Sequence, residues 1–131
     1  MDKKKCLELF NIKLREFVND LIVVFPNDSD LYSFKTSLNM IGLVNERQMI
    51  DLFVRFVHSA YRSQILSRDE TFFLAHNYAD ELNSMSDQNV TEQLIQKIKS
   101  YWSDMSTDNR EIVWKYFEVL IKLTDKYISF N

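Results

Sequence analysis

Apolar residues recur every three or four positions over most of the chain, which is the repeat of an amphipathic α-helix. The first such stretch covers residues 3–25 and ends at Pro26, because proline disfavours helical geometry in the residue before it. Its apolar stripe consists of Leu7, Phe10, Leu14, Phe17, Leu21 and Val24. The pattern therefore predicts a long first helix that buries one face.

Capping residues separate the next two helical patterns. The polar stretch at residues 27–30 offers N-cap residues for a second helix, and Gly42 is predicted to end that helix, because glycine is common just past a helix C-terminus. A third helix is predicted over residues 45–66. Its middle, residues 49–57, is apolar nearly all round, which predicts that this is the most buried element.

The remaining helices are predicted from their N-terminal signals. Ser67 followed by Glu70 matches a capping box, which predicts a short fourth helix through Leu82. Asn89 opens a fifth helical pattern after a polar loop. The polar residues 106–109 break the fifth helix and cap a sixth. The short link between these last two helices predicts that they form an antiparallel hairpin.

Composition supports an all-α fold. The chain has 131 residues, of which 46% are hydrophobic and 27% charged, as in a globular domain. It contains one glycine and one proline, and this scarcity argues against strands joined by tight turns. We therefore predict that residues 1–131 form a single domain, folded as one compact bundle of five to six helices.

The net charge, the single cysteine and the single glycine narrow the possible classes of function further. The formal net charge is −3, which offers no overall attraction to nucleic acid. Cys6 is the single cysteine, so no intramolecular disulfide can form, and Gly42 is the single glycine, so no glycine-rich phosphate loop exists. No run of about twenty apolar residues indicates a membrane span. We expect an intracellular protein that does not enter a membrane.

Several short stretches resemble a known group of proteins. Residues 72–80 read FFLAHNYAD and residues 112–117 read IVWKYF, and a helix ending in Phe25-Pro26 precedes Asp30-Leu31 and Phe34-Lys35-Thr36. Together these stretches resemble uncharacterised small helical proteins of large nucleocytoplasmic DNA viruses, over most of the chain. The resemblance implies a viral structural or accessory protein, present in the host cytoplasm or the virion. It implies no activity and no catalytic residue.

The densest polar cluster of the sequence contains Asp69, Glu70, His76 and Asp80. His76 and Asp80 are four residues apart and would share one helix face, a spacing that can hold a divalent metal or orient a general base. His58 on the preceding helix could approach them. Asp69 and Glu70, however, also suit the first turn of a helix without any further role. We expect no catalytic residue, metal or cofactor, and keep a metal- or histidine-dependent enzyme as the third hypothesis.

Two lysine clusters define the second hypothesis. One covers residues 3–5, and the other pairs Lys97 and Lys99 with the nearby Tyr101 and Trp102. Basic residues interleaved with aromatic ones can hold a phosphate backbone and stack on bases. The alternative is that these aromatic residues pack inside the bundle. We therefore keep a nucleic-acid-associated accessory protein as the alternative hypothesis, which the pattern does not favour.

The last helix suggests the leading hypothesis. One predicted stripe contains Ile112, Tyr116, Leu120, Leu123 and Tyr127. Trp114 and Ile121 lie roughly opposite the centre of that stripe. They are either buried against the first helix or exposed as an anchor for a partner, and tryptophan is favoured at such anchors. We therefore predict a non-enzymatic protein–protein interaction protein, which binds a protein partner or self-associates through Trp114 and Ile121.

Overall fold

The computed structural model describes residues 2–75 and 90–130, and no strand occurs among them. The α-helices of this part are α1 (Lys3–Val24), α2 (Ser29–Val44), α3 (Gln48–Phe53), α4 (Ser59–Leu66), α5 (Glu70–Ala75), α6 (Val90–Tyr101) and α7 (Thr107–Ser129). A π-helical turn, Val54–His58, joins α3 to α4, and a 3₁₀ turn, Trp102–Asp104, follows α6. The prediction of an all-α fold is confirmed.

Side-chain caps begin α2 and α7. The carboxylate of Asp28 accepts a hydrogen bond from the backbone N–H of Asp30 at 2.9 Å. The hydroxyl of Ser106 accepts one from the backbone N–H of Asn109 at 3.1 Å. Each cap satisfies a donor that would otherwise have no partner in the first helical turn. The polar stretches before both helices thus act as predicted.

Gly42 does not end the second helix, so that prediction is wrong. Helix α2 continues to Val44, and Gly42 has no positive φ. A Cβ atom at this position would lie 2.8 Å from Nη2 of Arg15 on α1. Gly42 therefore lies where the end of the flexible arginine side chain crosses close to the α2 backbone, and not where the chain turns.

The predicted capping box at Ser67 is also wrong. The Ser67 hydroxyl donates to the carbonyl of Gln64 at 3.3 Å, and the Glu70 N–H donates to the carbonyl of Arg68 at 3.0 Å. Arg68 has a φ of 54°, so the chain turns there and Ser67 belongs to the end of α4. The predicted continuation of the fourth helix to Leu82 lies outside the described residues.

The stretch predicted to be apolar all round has a solvent-exposed side. Met49, Ile50 and Phe53 are buried, whereas Asp51 and Arg55 are exposed. Its helix is also interrupted by the π-helical turn. This element is therefore amphipathic like the others and is not buried on every side.

Helix α1 packs against both α2 and α7, and the core forms around it. Phe10 and Phe17 on α1 are 0% and 1% exposed, and Cys6 is fully buried. The indole rings of Trp102 and Trp114 meet edge to face at 5.1 Å between centroids, which joins the turn after α6 to α7. The antiparallel pairing of these last two helices remains a prediction.

Candidate protein-binding cleft

An apolar cleft of about 230 Å³ lies between the end of α1 and the start of α7. We call it the α1–α7 cleft. Its apolar lining includes Phe17, Leu21, Val23, Val24, Met105 and Ile112, and its polar lining comprises Asp20 and Asn109. A concave apolar surface with few polar groups is the usual form of a binding pocket.

The cleft exists because the start of α7 brings no large side chain to this place. Ser106 caps the helix, and the first turn continues with Thr107, Asp108 and Asn109, which are all small and polar. The first apolar side chain of α7 belongs to Ile112. The apolar end of α1 therefore faces a polar first turn, and the space between them stays open.

Three aliphatic residues of the cleft are exposed to solvent. Val23 is 78% exposed, Ile112 44% and Val24 38%. A single exposed aliphatic side chain is ordinary on a protein surface. Three of them beside one cavity form a continuous apolar surface, which is typical of a site that binds another molecule.

Polar contacts define one side of the cleft. The Tyr116 ring stacks on Phe17 with 4.9 Å between centroids, and its hydroxyl donates a hydrogen bond to the Asp20 carboxylate. Burial, together with that carboxylate, raises the pKa of Tyr116 well above its usual value. Within the described residues Asp20 forms no ion pair with a cation. Its negative charge is therefore available to a ligand of the cleft.

Trp114 and Ile121, the anchors predicted from the sequence, lie elsewhere. They are 5% and 0% exposed and belong to the core. The expectation of an exposed anchor at these positions is thus corrected to its alternative, burial inside the bundle. Ile112, which belongs to the predicted stripe, is 44% exposed.

Only part of the predicted acidic and histidine cluster lies within the described residues. His76 and Asp80 lie outside the described residues. Asp69 and Glu70 are exposed, and Glu70 occupies the first turn of α5, where its charge suits the helix dipole. Residues 2–75 and 90–130 contain no group of three histidine, cysteine or acidic residues that could hold a metal ion.

His58 has a partner that the sequence did not suggest. Its Nε2 lies 2.6 Å from Oδ1 of Asp125 on α7, and Arg62 contacts the same carboxylate with two nitrogens, Nε at 2.9 Å and Nη2 at 2.8 Å. A histidine beside a carboxylate can serve as a general base. Here the guanidinium already occupies the carboxylate and lowers the pKa of Asp125, as in structural ion-pair networks. The separation in sequence left no local signal for this contact.

Both lysines of the second cluster contact other side chains of the fold. Lys97 pairs with Asp30 at 2.7 Å and with Asp28 at 3.3 Å, and the hydrogen bond to Asp30 raises its pKa. Lys99 donates to the Tyr61 hydroxyl at 2.9 Å, and burial lowers its pKa to about 8. These two lysines therefore do not present a joint basic face to solvent.

Comparisons with known protein families, with curated proteins and with solved structures find no match to this chain. In the part of the chain that the structure describes, no helix combines the length and the apolar character needed to cross a membrane.

Proposed function

We propose that this chain is a non-enzymatic interaction protein that binds a protein partner in the α1–α7 cleft. The observation that carries the proposal is a preformed apolar cavity of about 230 Å³, bordered by Val23, which is 78% exposed. An exposed apolar concavity loses unfavourable contact with water when an apolar side chain fills it. We therefore place the proposed binding site at the end of α1 and not at Trp114 and Ile121. The proposed class of function, a protein–protein interaction protein, is the one predicted from the sequence.

The size of the cleft sets the type of contact expected. Full burial of one leucine or phenylalanine side chain is worth about 1.5–3 kcal/mol, so a partner with one such residue would have a dominant anchor there. Asp20 and Asn109 would select among partners, because a polar group buried without a hydrogen-bond partner is costly. Recognition of an apolar anchor by this lining would use non-covalent contacts alone, as in an interaction protein without enzymatic activity.

The proposal also covers where the protein acts and how its helices are arranged. The resemblance of residues 72–80 and 112–117 to proteins of large nucleocytoplasmic DNA viruses supports a viral structural or accessory role, in the host cytoplasm or the virion. We take residues 1–131 as a single bundle, with the last two helices paired as an antiparallel hairpin. The alternative, a nucleic-acid-associated protein, rests on the lysine clusters, and Lys97 is already paired with Asp28 and Asp30.

Site-specific crosslinking in the native cell tests this proposal. A photoreactive amino acid is placed at Val23 in the cleft or, as a matched control, at Val119, which is also an exposed valine but belongs to α7 outside the cleft lining. We expect a discrete protein adduct from position 23 and none from position 119, before and after nuclease treatment. Equal labelling from both positions would refute the cleft as the binding site, and adducts lost with nuclease would favour the lysine-cluster hypothesis.

A further inference from the structure

The outer end of α2 carries a second exposed apolar surface, which we call the α2 tip. It consists of Met40, Leu43 and Val44, which are 62%, 88% and 88% exposed. Residues three and four apart in a helix lie on one face, so the three side chains form one patch. The buried face of α2, with Leu31, Phe34 and Leu38, lies on the opposite side. The tip therefore contributes little to the core of its own bundle.

Positive charge accompanies the α2 tip. Nη2 of Arg15 lies against the α2 backbone at Gly42, 2.8 Å from where a Cβ would be, immediately before Leu43 in the chain. Within the described residues Arg15 forms no ion pair. Arg47 follows the tip in sequence and is exposed, and Glu46 is the acidic residue beside it. The tip is thus an apolar projection with the guanidinium of Arg15 at its border.

We propose that the α2 tip of one copy of this chain occupies the α1–α7 cleft of a second copy. This inference rests on the proposed function, because it names the partner of the same cleft. The two surfaces are complementary in shape and in charge. The cleft is apolar and concave beside Asp20, and the tip is apolar and convex beside Arg15. Opposite charges at the border of an apolar contact fix its orientation and reject other partners.

The cleft has room for the tip. An apolar cavity of about 150 Å³ holds benzene, which has six carbon atoms. The side chains of Leu43 and Val44 together have seven carbon atoms, and the cleft offers about 230 Å³. Filling it would also remove from water two of the most exposed aliphatic residues of the described chain. The same contact would thus bury exposed apolar side chains of both the cleft and the tip.

The tip cannot fill the cleft of its own bundle. Arg15 and Asp20 stand on different sides of α1, roughly 140° apart at 3.6 residues per turn. Arg15 faces α2 at Gly42, whereas Asp20 faces α7 at Tyr116. Because the contact joins two different surfaces, two copies form either two reciprocal contacts in a closed dimer or a single contact. A single contact leaves one tip and one cleft open, so such an assembly closes into a larger ring or grows as a filament.

Sedimentation of the purified full-length chain tests this arrangement through complementation. We compare the wild type with Val23→Asp, which places a charge in the cleft, and with Leu43→Asp, which places one on the tip. An unpaired charge buried in an apolar contact is strongly unfavourable, so each variant alone should self-associate roughly tenfold more weakly or worse. Mixed together, the two variants should form a one-to-one dimer and nothing larger. That dimer joins the intact tip of Val23→Asp to the intact cleft of Leu43→Asp.

Control variants distinguish a loss of folding from a loss of assembly. Val119→Asp adds the same charge outside both surfaces and should assemble like the wild type. Val23→Ser and Leu43→Ser, with melting curves, replace the aspartate variants if either of those fails to fold. A monomeric wild type up to about millimolar concentration would overturn the second-copy proposal, and so would assembly that the mixed variants do not restore. If crosslinks from position 23 then capture a different protein, the proposed function stands while this inference falls.

Discussion

The two apolar sides of α7 meet different surroundings. On one side Trp114 and Ile121 are packed in the core at 5% and 0% exposure. On the other side Ile112 is 44% exposed and lines the α1–α7 cleft. Both sides consist of large apolar residues, so residue type does not distinguish them. What differs is the neighbourhood: Trp114 packs against Trp102 in the turn after α6, whereas Ile112 lies beside the open α1–α7 cleft.

The largest expected difference between the two sides is in folding stability. Trp114→Ala should lower the free energy of unfolding by about 3–5 kcal/mol, because it removes a buried ring in contact with Trp102 and leaves a cavity. Ile112→Ala on the exposed side should cost less than about 1 kcal/mol. Urea denaturation of both variants measures the contrast. Equal costs would show that Trp114 is not in the core or that Ile112 is.

A smaller effect is expected at the border between the core and the cleft. Tyr116→Phe removes the hydroxyl that bonds to Asp20 and keeps the ring that stacks on Phe17. A hydrogen bond of this kind contributes on the order of 1 kcal/mol. The matched control is Tyr32→Phe, whose hydroxyl contacts the carbonyl of Pro26 at 3.1 Å on an exposed side chain. Urea denaturation should find the smaller loss in the control, and the reverse order would contradict the assignment.

At the other end of α7 the expected effect depends on pH. The hydrogen bond from Arg62 is the main cause that lowers the pKa of Asp125, burial opposes it, and His58 adds to the lowering. A carboxyl group with a lowered folded pKa stabilises the fold above its unfolded pKa of about 3.9, and this contribution is lost as pH falls through the folded pKa. Below about pH 4 the wild type should therefore lose more unfolding free energy than Asp125→Asn.

Chemical denaturation at a series of pH values measures this dependence. Arg62→Met should reduce the same acid sensitivity, because it removes the main cause of the lowered pKa while leaving the carboxyl group in place. Parallel pH profiles of the wild type and Asp125→Asn would contradict the pairing of Asp125 with Arg62. We expect a smaller effect than at Tyr116, since both partners are partly exposed and water screens the pair.

The smallest effect on stability is expected in the cleft itself. Val23→Ser should change the free energy of unfolding by less than about 0.5 kcal/mol, because the side chain is 78% exposed. The same change should weaken binding or self-association measured by sedimentation. Loss of stability without loss of association would show that Val23 belongs to the core and not to the binding surface of the cleft.

The inner face of α7 shows why the sequence misplaced the predicted anchors. Its buried residues centre about a quarter turn away from the predicted apolar stripe. Thr124 lies near the middle of the buried face at 0% exposure, and its hydroxyl donates to the carbonyl of Leu120 at 2.7 Å. A polar residue satisfied by its own helix is compatible with full burial. Counting only apolar residues therefore rotated the predicted face away from Thr124 and towards Ile112.

Local physics explains the parts of the fold that could be predicted. The helical repeat of apolar residues, Pro26 after α1 and the Ser106 cap act within a few residues of chain, so the sequence alone predicted all-α structure and several helix boundaries. Gly42 and Ser67 misled the prediction, because each residue type suits more than one local role. A glycine can end a helix or lie beside a close neighbour, and here Arg15 lies against Gly42 within a continuing helix.

The class of structure follows from the order of residues alone, because amphipathic helices, their capped ends and an apolar core all depend on local patterns. The packing of the helices against one another determines which apolar side chains reach that core and which face water. It buries Trp114, leaves Val23 and Leu43 exposed, and brings Asp125 to His58 from 67 residues away. The physical reason is that helix formation depends on neighbours in sequence, whereas burial and pairing depend on which helices pack together.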